Sequence, residues 1–191
     1  MKETLAKVAL ALVAVVLCLD TGSAQSRGRA TAREKEEIFR LLRRDEEFVK
    51  LLAEFAQDPG EVEELVRLSA QTMDVRRVDL NRDGRPEYMV EVGGGVCGAL
   101  ANCPRWIYRR QRAGFERIGY DAGSRVLTPR KTSTGGYRDL RAEAGSTAVE
   151  DAVVIYKYDG RRYRAADCFT RDHSGPRVKV TRVKCAGAES Q

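Results

Sequence analysis

The hydrophobic repeat of this 191-residue chain changes once, at Met73, and that change limits the fold more than any other feature of the sequence. Before it, AREKEEIFRLLRRDEEFVKLLAEFAQ carries Ile38, Leu41, Leu42, Phe48, Val49, Leu52 and Phe55 at helical spacing, with Glu and Arg between them. This is the pattern of an amphipathic helix. Asp58-Pro59-Gly60 interrupts it, and Pro59 suits the first turn of a second helix that places Val62, Leu65, Val66 and Leu68 on one side. Beyond Met73 apolar residues alternate in segments near 75–80, 87–92, 106–111, 115–119, 137–142, 152–158, 162–166 and 178–183, bounded by Gly, Pro, Asp and Asn. These segments read as strands. Helices followed by strands predict an α+β domain, an N-terminal helix pair packed on an antiparallel β-sheet.

Two hairpins are legible. In YKYDGRRYR the dipeptide Asp159-Gly160 supplies the positive φ of a two-residue turn, and RQRAGFERI places Gly114 in another. The GGGVCG stretch has Gly93, Gly95 and Gly98 at dinucleotide-binding spacing, but Cys103-Pro104 leaves no room for the helix that fingerprint needs. It reads as a glycine loop carrying a disulfide.

The first 24 residues have a charged start, an apolar run over 8–19 and the small residues Gly22, Ser23 and Ala24, as in a secretory signal peptide cut after Ala24. The run is shorter than the roughly 20 residues a membrane-spanning helix needs, so no stable membrane insertion is expected after cleavage. The expected protein is secreted or periplasmic, with residues 25–32 a disordered lead-in and 33–191 a single domain.

Four cysteines remain after the leader: Cys97, Cys103, Cys168 and Cys185. An even count in an exported chain points to two disulfides, with three possible connectivities. Closeness in sequence favours Cys97–Cys103 and Cys168–Cys185. A zinc site is the rival, but the spacings are not of the C-x₂₋₄-C type and His173 is the sole histidine.

DLNRDGRPE, residues 79–87, carries the most specific chemistry. Oxygen side chains fall at loop positions 1, 3, 5 and 9, and Gly84 at position 6 permits a sharp turn. A tight loop of this kind can aim alternate oxygens at a hard cation, with the Arg85 carbonyl as a further ligand. An EF-hand is excluded by Val90 at position 12 and by the strand-like flanks. The alternative is a metal-free turn in which Asp79 and Asn81 cap backbone amides.

The stretch VDLNRDGRPEYMVEV resembles the calcium loops of FG-GAP/VCBS-type β-propeller repeats, which also join two strands. The resemblance covers the loop and its two strands and occurs once in the chain. It implies calcium (Ca2+) as cofactor, with ligands Asp79, Asn81, Asp83, Arg85 through its backbone carbonyl, and Glu87.

A net charge of +6 suits an anionic partner such as polysaccharide, nucleic acid or an acidic protein, though the arginines are spread along the whole chain. Arg105, Trp106, Tyr108, Arg109 and Arg110 interleave basic and aromatic residues, as a face that stacks on bases or sugars would. Asp172, His173 and Ser174 are sequence neighbours, which does not make a catalytic triad. The expected function is a non-enzymatic binding or structural module with a calcium-stabilised strand–loop–strand. The alternative is an anion binder that takes an unknown protein or an anionic cell-envelope ligand through the Arg/aromatic strands.

Overall fold

The computed structural model describes residues 28–185. The leader, its cleavage site and residues 25–27 of the lead-in lie outside the described residues. Among the described residues, three α-helices precede two five-stranded antiparallel sheets. The fold is α+β.

The lead-in is ordered from Gly28 onward. β1 (Gly28–Arg29) pairs with β2 (Asp74–Val78), and the Ala30 N–H donates to the Val75 carbonyl. Thr31 then caps α1 (Ala32–Leu42) in a capping box with Glu34. The first amphipathic stretch is not one helix. Arg43-Arg44 ends α1, and Asp45 caps α2 (Glu46–Phe55) by accepting from the Glu47 N–H. Asp58 and Pro59 start α3 (Pro59–Thr72) as their residue types require.

The first sheet runs β1-β2-β3-β4-β5 as a meander, with β3 at Glu87–Glu91, β4 at Cys103–Gln111 and β5 at Gly114–Ser124. The second is a meander of β6 (Val126–Thr134), β7 (Tyr137–Gly145), β8 (Glu150–Tyr158), β9 (Tyr163–Asp172) and β10 (Lys179–Val183). The sequence pattern anticipates one sheet and misses β6, a polar edge strand. The β8–β9 turn spans four residues, 159–162, with Asp159 accepting from the Arg161 and Arg162 N–H groups.

Two hydrophobic clusters define three layers. Ile38, Phe39, Leu42, Phe48 and Leu52 of the helices pack on Tyr88, Val90, Trp106 and Tyr108 of the first sheet. Its opposite face contributes Met89, Ile107 and Ile118, which meet Leu127, Tyr137, Leu140, Tyr158 and Tyr163 of the second. The first sheet is therefore the middle layer, buried on both faces.

Both favoured disulfides are formed, Cys97–Cys103 and Cys168–Cys185. The first closes the glycine loop, where Gly94 (φ +71) runs so close to α3 that a Cβ there would lie 2.6 Å from the Leu68 carbonyl carbon. Among the described residues no helix is long and apolar enough to cross a membrane.

Candidate functional site

Pairing of β2 with β3 ends at Val78 and Glu87, which leaves residues 79–86 to turn between two strands of the middle layer. Arg82 (φ +61) and Gly84 (φ +81) adopt left-handed backbone, and glycine carries that cost least. The capping hydrogen bonds of the turn are present. Asp79 Oδ2 accepts from the Gly84 N–H at 3.2 Å, Asn81 Oδ1 from the Asp83 N–H at 3.1 Å, and Asp83 Oδ1 from the Arg85 N–H at 2.7 Å.

Leu80 reaches between the sheets. Its side chain is fully buried in the inter-sheet cluster, its N–H donates to Glu87 Oε2 at 2.8 Å, and its carbonyl accepts from the Arg138 N–H of β7 at 2.8 Å. The loop thus fastens the first sheet to the second. Asn81 adds a long contact, 3.4 Å from Nδ2 to the Tyr137 hydroxyl.

The electrostatics of this fastening are unfavourable as it stands. Burial pushes the Glu87 carboxyl up to about 7, against the pull of the Leu80 N–H and with help from the nearby charges of Asp83 and Asp79. Asp79 Oδ1 is buried with no hydrogen-bond partner. A buried, unpaired carboxylate oxygen costs free energy that a bound cation would recover. Among the described residues, however, no group of three or more His, Cys, Asp or Glu side chains is gathered as a metal ion would need. The ligands that the sequence implies, Asp79, Asn81, Asp83, the Arg85 carbonyl and Glu87, all lie within residues 79–87, but their three carboxylates are not gathered as one metal cluster. Asp83 and Glu87 also line a cavity shared with the β4–β5 hairpin.

The Arg/aromatic strand is placed differently from its sequence expectation. Trp106 and Tyr108 are buried under the helices, Trp106 donating to Asp45 Oδ1 at 3.2 Å, and neither offers a ring for stacking. Arg105 is buried as well. It donates to the Cys103 and Ser124 carbonyls and to the Ser124 hydroxyl, and it meets Glu91 Oε2 at 2.5 Å. Arg109 and Arg110 alone of the five reach towards solvent. Alternation of basic and aromatic residues implied one wet face, but a strand in the middle layer has none.

Arg105 belongs to a buried polar network that sequence reasoning missed. Asp121 accepts from the Ser124 hydroxyl at 2.5 Å and from the Tyr156 hydroxyl at 3.0 Å, tying β5 to β8. Burial raises the Asp121 carboxyl above its ordinary range despite those bonds and Arg105 nearby. Asp121 lies in GYDAGS, a stretch with no spacing that marks it. His173 Nε2 lies 2.9 Å from Asp151 Oδ2, far away in sequence, and Asp151 is shared with Arg125 and Arg171.

No protein-family model, no curated protein and no solved structure matches this chain.

Proposed function

We propose that the chain is an exported, non-enzymatic binding or structural module of the cell envelope in which a calcium ion stabilises the β2–β3 loop. The observation that carries this reading is the unpartnered buried Oδ1 of Asp79 beside the desolvated carboxyl of Glu87. A dication among these oxygens would relieve both, while the backbone hydrogen bonds already hold the loop in shape. Asp79, Asn81, Asp83 and Glu87 would supply side-chain oxygens and Arg85 its carbonyl. The ion would secure Leu80, and with it the join between the sheets. Two formed disulfides support an oxidising compartment such as the periplasm or the cell exterior.

Calorimetric titration of the mature protein with Ca2+, beside Asp83→Ala, tests the reading. A saturable heat and a rise in melting temperature at roughly millimolar Ca2+, both lost in Asp83→Ala, are expected. No heat and no shift for either protein would remove the calcium. The alternative of an anion-binding Arg/aromatic strand has lost its aromatic support, because Trp106 and Tyr108 are core residues.

A further inference from the structure

A cavity of about 410 Å³ lies between the β2–β3 loop and the β4–β5 hairpin, with Asp83, Arg85 and Glu87 on one side and Arg109, Arg110 and Arg112 on the other. Its size falls within the roughly 300–1,000 Å³ of small-molecule sites. Four arginines from two separate segments line this one concavity.

The four are not equivalent. Arg109 is committed to Glu116 Oε2, at 2.9 Å from Nε and 2.7 Å from Nη2, and to the Tyr158 hydroxyl at 3.2 Å. Arg110 stacks 4.8 Å over the Phe115 ring and lies 3.8 and 3.7 Å from Glu34 and Glu37. Arg85 and Arg112 are exposed, and among the described residues neither enters an ion pair. Their forks match a carboxylate or a phosphate, each able to take two parallel hydrogen bonds.

The carboxylates on either side of Arg85 in the chain set a second requirement. Asp83 and Glu87 present carboxyl oxygens, which accept hydrogen bonds from hydroxyls but repel a ligand that is anionic throughout. Tyr137 also lines the cavity and adds a phenol. A fitting ligand combines one anionic group with several hydroxyls. A uniformly charged polymer such as nucleic acid does not meet that description.

We propose that this cavity binds a polyhydroxylated oxyanion, an acidic sugar or a sugar phosphate, with Arg85 and Arg112 holding the anionic group. Asp83 and Glu87 serve both readings, so binding is tested with calcium removed.

The mature protein is titrated calorimetrically with glucuronate and with glucose 6-phosphate, in EDTA at constant ionic strength, beside neutral glucose. The Arg85→Ala/Arg112→Ala double variant and Arg177→Ala, an exposed arginine elsewhere on the surface, are titrated in parallel. One saturable site is expected for at least one acidic probe, with glucose at least tenfold weaker. The double variant should lose at least tenfold in affinity at an unchanged melting temperature, and Arg177→Ala should bind as the parent does. Binding of glucuronate alone identifies a uronate, and of glucose 6-phosphate alone a phosphorylated sugar. No saturable binding of either probe, or equal binding by the double variant, overturns the proposal. Because EDTA is present throughout, a failure here is separable from a failure of the calcium reading.

Discussion

Strands β4 and β8 are each nine residues long and lie inside their sheets, yet they are buried in different ways. In β4 every residue from Pro104 to Tyr108 is buried, because helices cover one face and the second sheet covers the other. In β8 Val154, Tyr156 and Tyr158 face the inter-sheet core, and Val153 and Ile155 face outward. Those two are shielded instead by charged neighbours: Arg141, Asp167 and Arg171 surround them, and Arg171 meets Glu143 and Asp151. Long arginine stems can cover apolar surface while their heads stay wet. Two meanders of equal strand number therefore hold apolar side chains by different means, one by packing layers and the other by a salt-bridged cover.

If that contrast is correct, the first sheet should fail catastrophically under truncation and the second should not. Trp106→Ala should cost about 3–5 kcal/mol in urea unfolding, whereas Phe169→Ala, on the outer face of the second sheet, should cost about 1 kcal/mol. Equal losses would break the comparison. The disulfides provide a second test. Cys168–Cys185 closes a separation of 17 residues and Cys97–Cys103 one of 6. Loop-closure entropy then assigns about 3 kcal/mol to the former and about 2 kcal/mol to the latter, so the second sheet should depend more on its covalent tie. The denaturant midpoints of the two paired Cys→Ser variants, each beside the parent protein, check the order.

Glu34 sharpens the contrast in the helical layer. Burial works to raise its carboxyl, but hydrogen bonds from Tyr88 at 2.6 Å, from Thr31 and from Arg77 at 2.7 Å outweigh it and hold the group at about 2. A depressed carboxyl stabilises the fold above its unfolded pKa and loses that contribution as pH falls through the folded value. The helices should therefore loosen from the first sheet between about pH 4.5 and pH 2. Glu34→Gln should lower stability by roughly 2–3 kcal/mol at pH 7 and flatten this acid limb. Asp151→Asn, which removes a partly exposed hub of the second sheet, should cost about 1 kcal/mol or less.

The smallest expected effect lies where the two sheets are joined. Glu87→Gln keeps an acceptor for the Leu80 N–H and removes a buried charge, so in EDTA at pH 8 it should raise the melting temperature by a few degrees, about 1 kcal/mol. A fall instead would mean that the charge of Glu87 holds the join without help.

Much of this fold was legible, and the gaps have local causes. The helix start at Pro59, the favoured cysteine pairing and the strand–loop–strand at residues 79–87 follow from short-range chemistry that the sequence displays directly. The break between α1 and α2 had a signal too: Asp45 followed by Glu46 and Glu47 is a helix start, and the five residues between Leu42 and Phe48 are all charged. Strand β6, VLTPRKTST, gave no apolar alternation because it pairs with β7 alone, contains Pro129 and lies mostly in solvent. The pairing of Gly28 and Arg29 with β2 was hidden because backbone pairing leaves no mark on side-chain composition.

By itself the sequence determined that helices give way to strands at Met73, which cysteine pairing is favoured and where the oxygen-rich turn lies, all of which depend on residues close together in the chain. Only the tertiary structure decided that the strands divide into two stacked sheets, that Trp106 and Tyr108 are core and not a binding face, and that Arg85 and Arg112 line one cavity. The physical reason is that a side chain's period tells which neighbours share its face, whereas the layer that covers that face comes from residues far away in the chain.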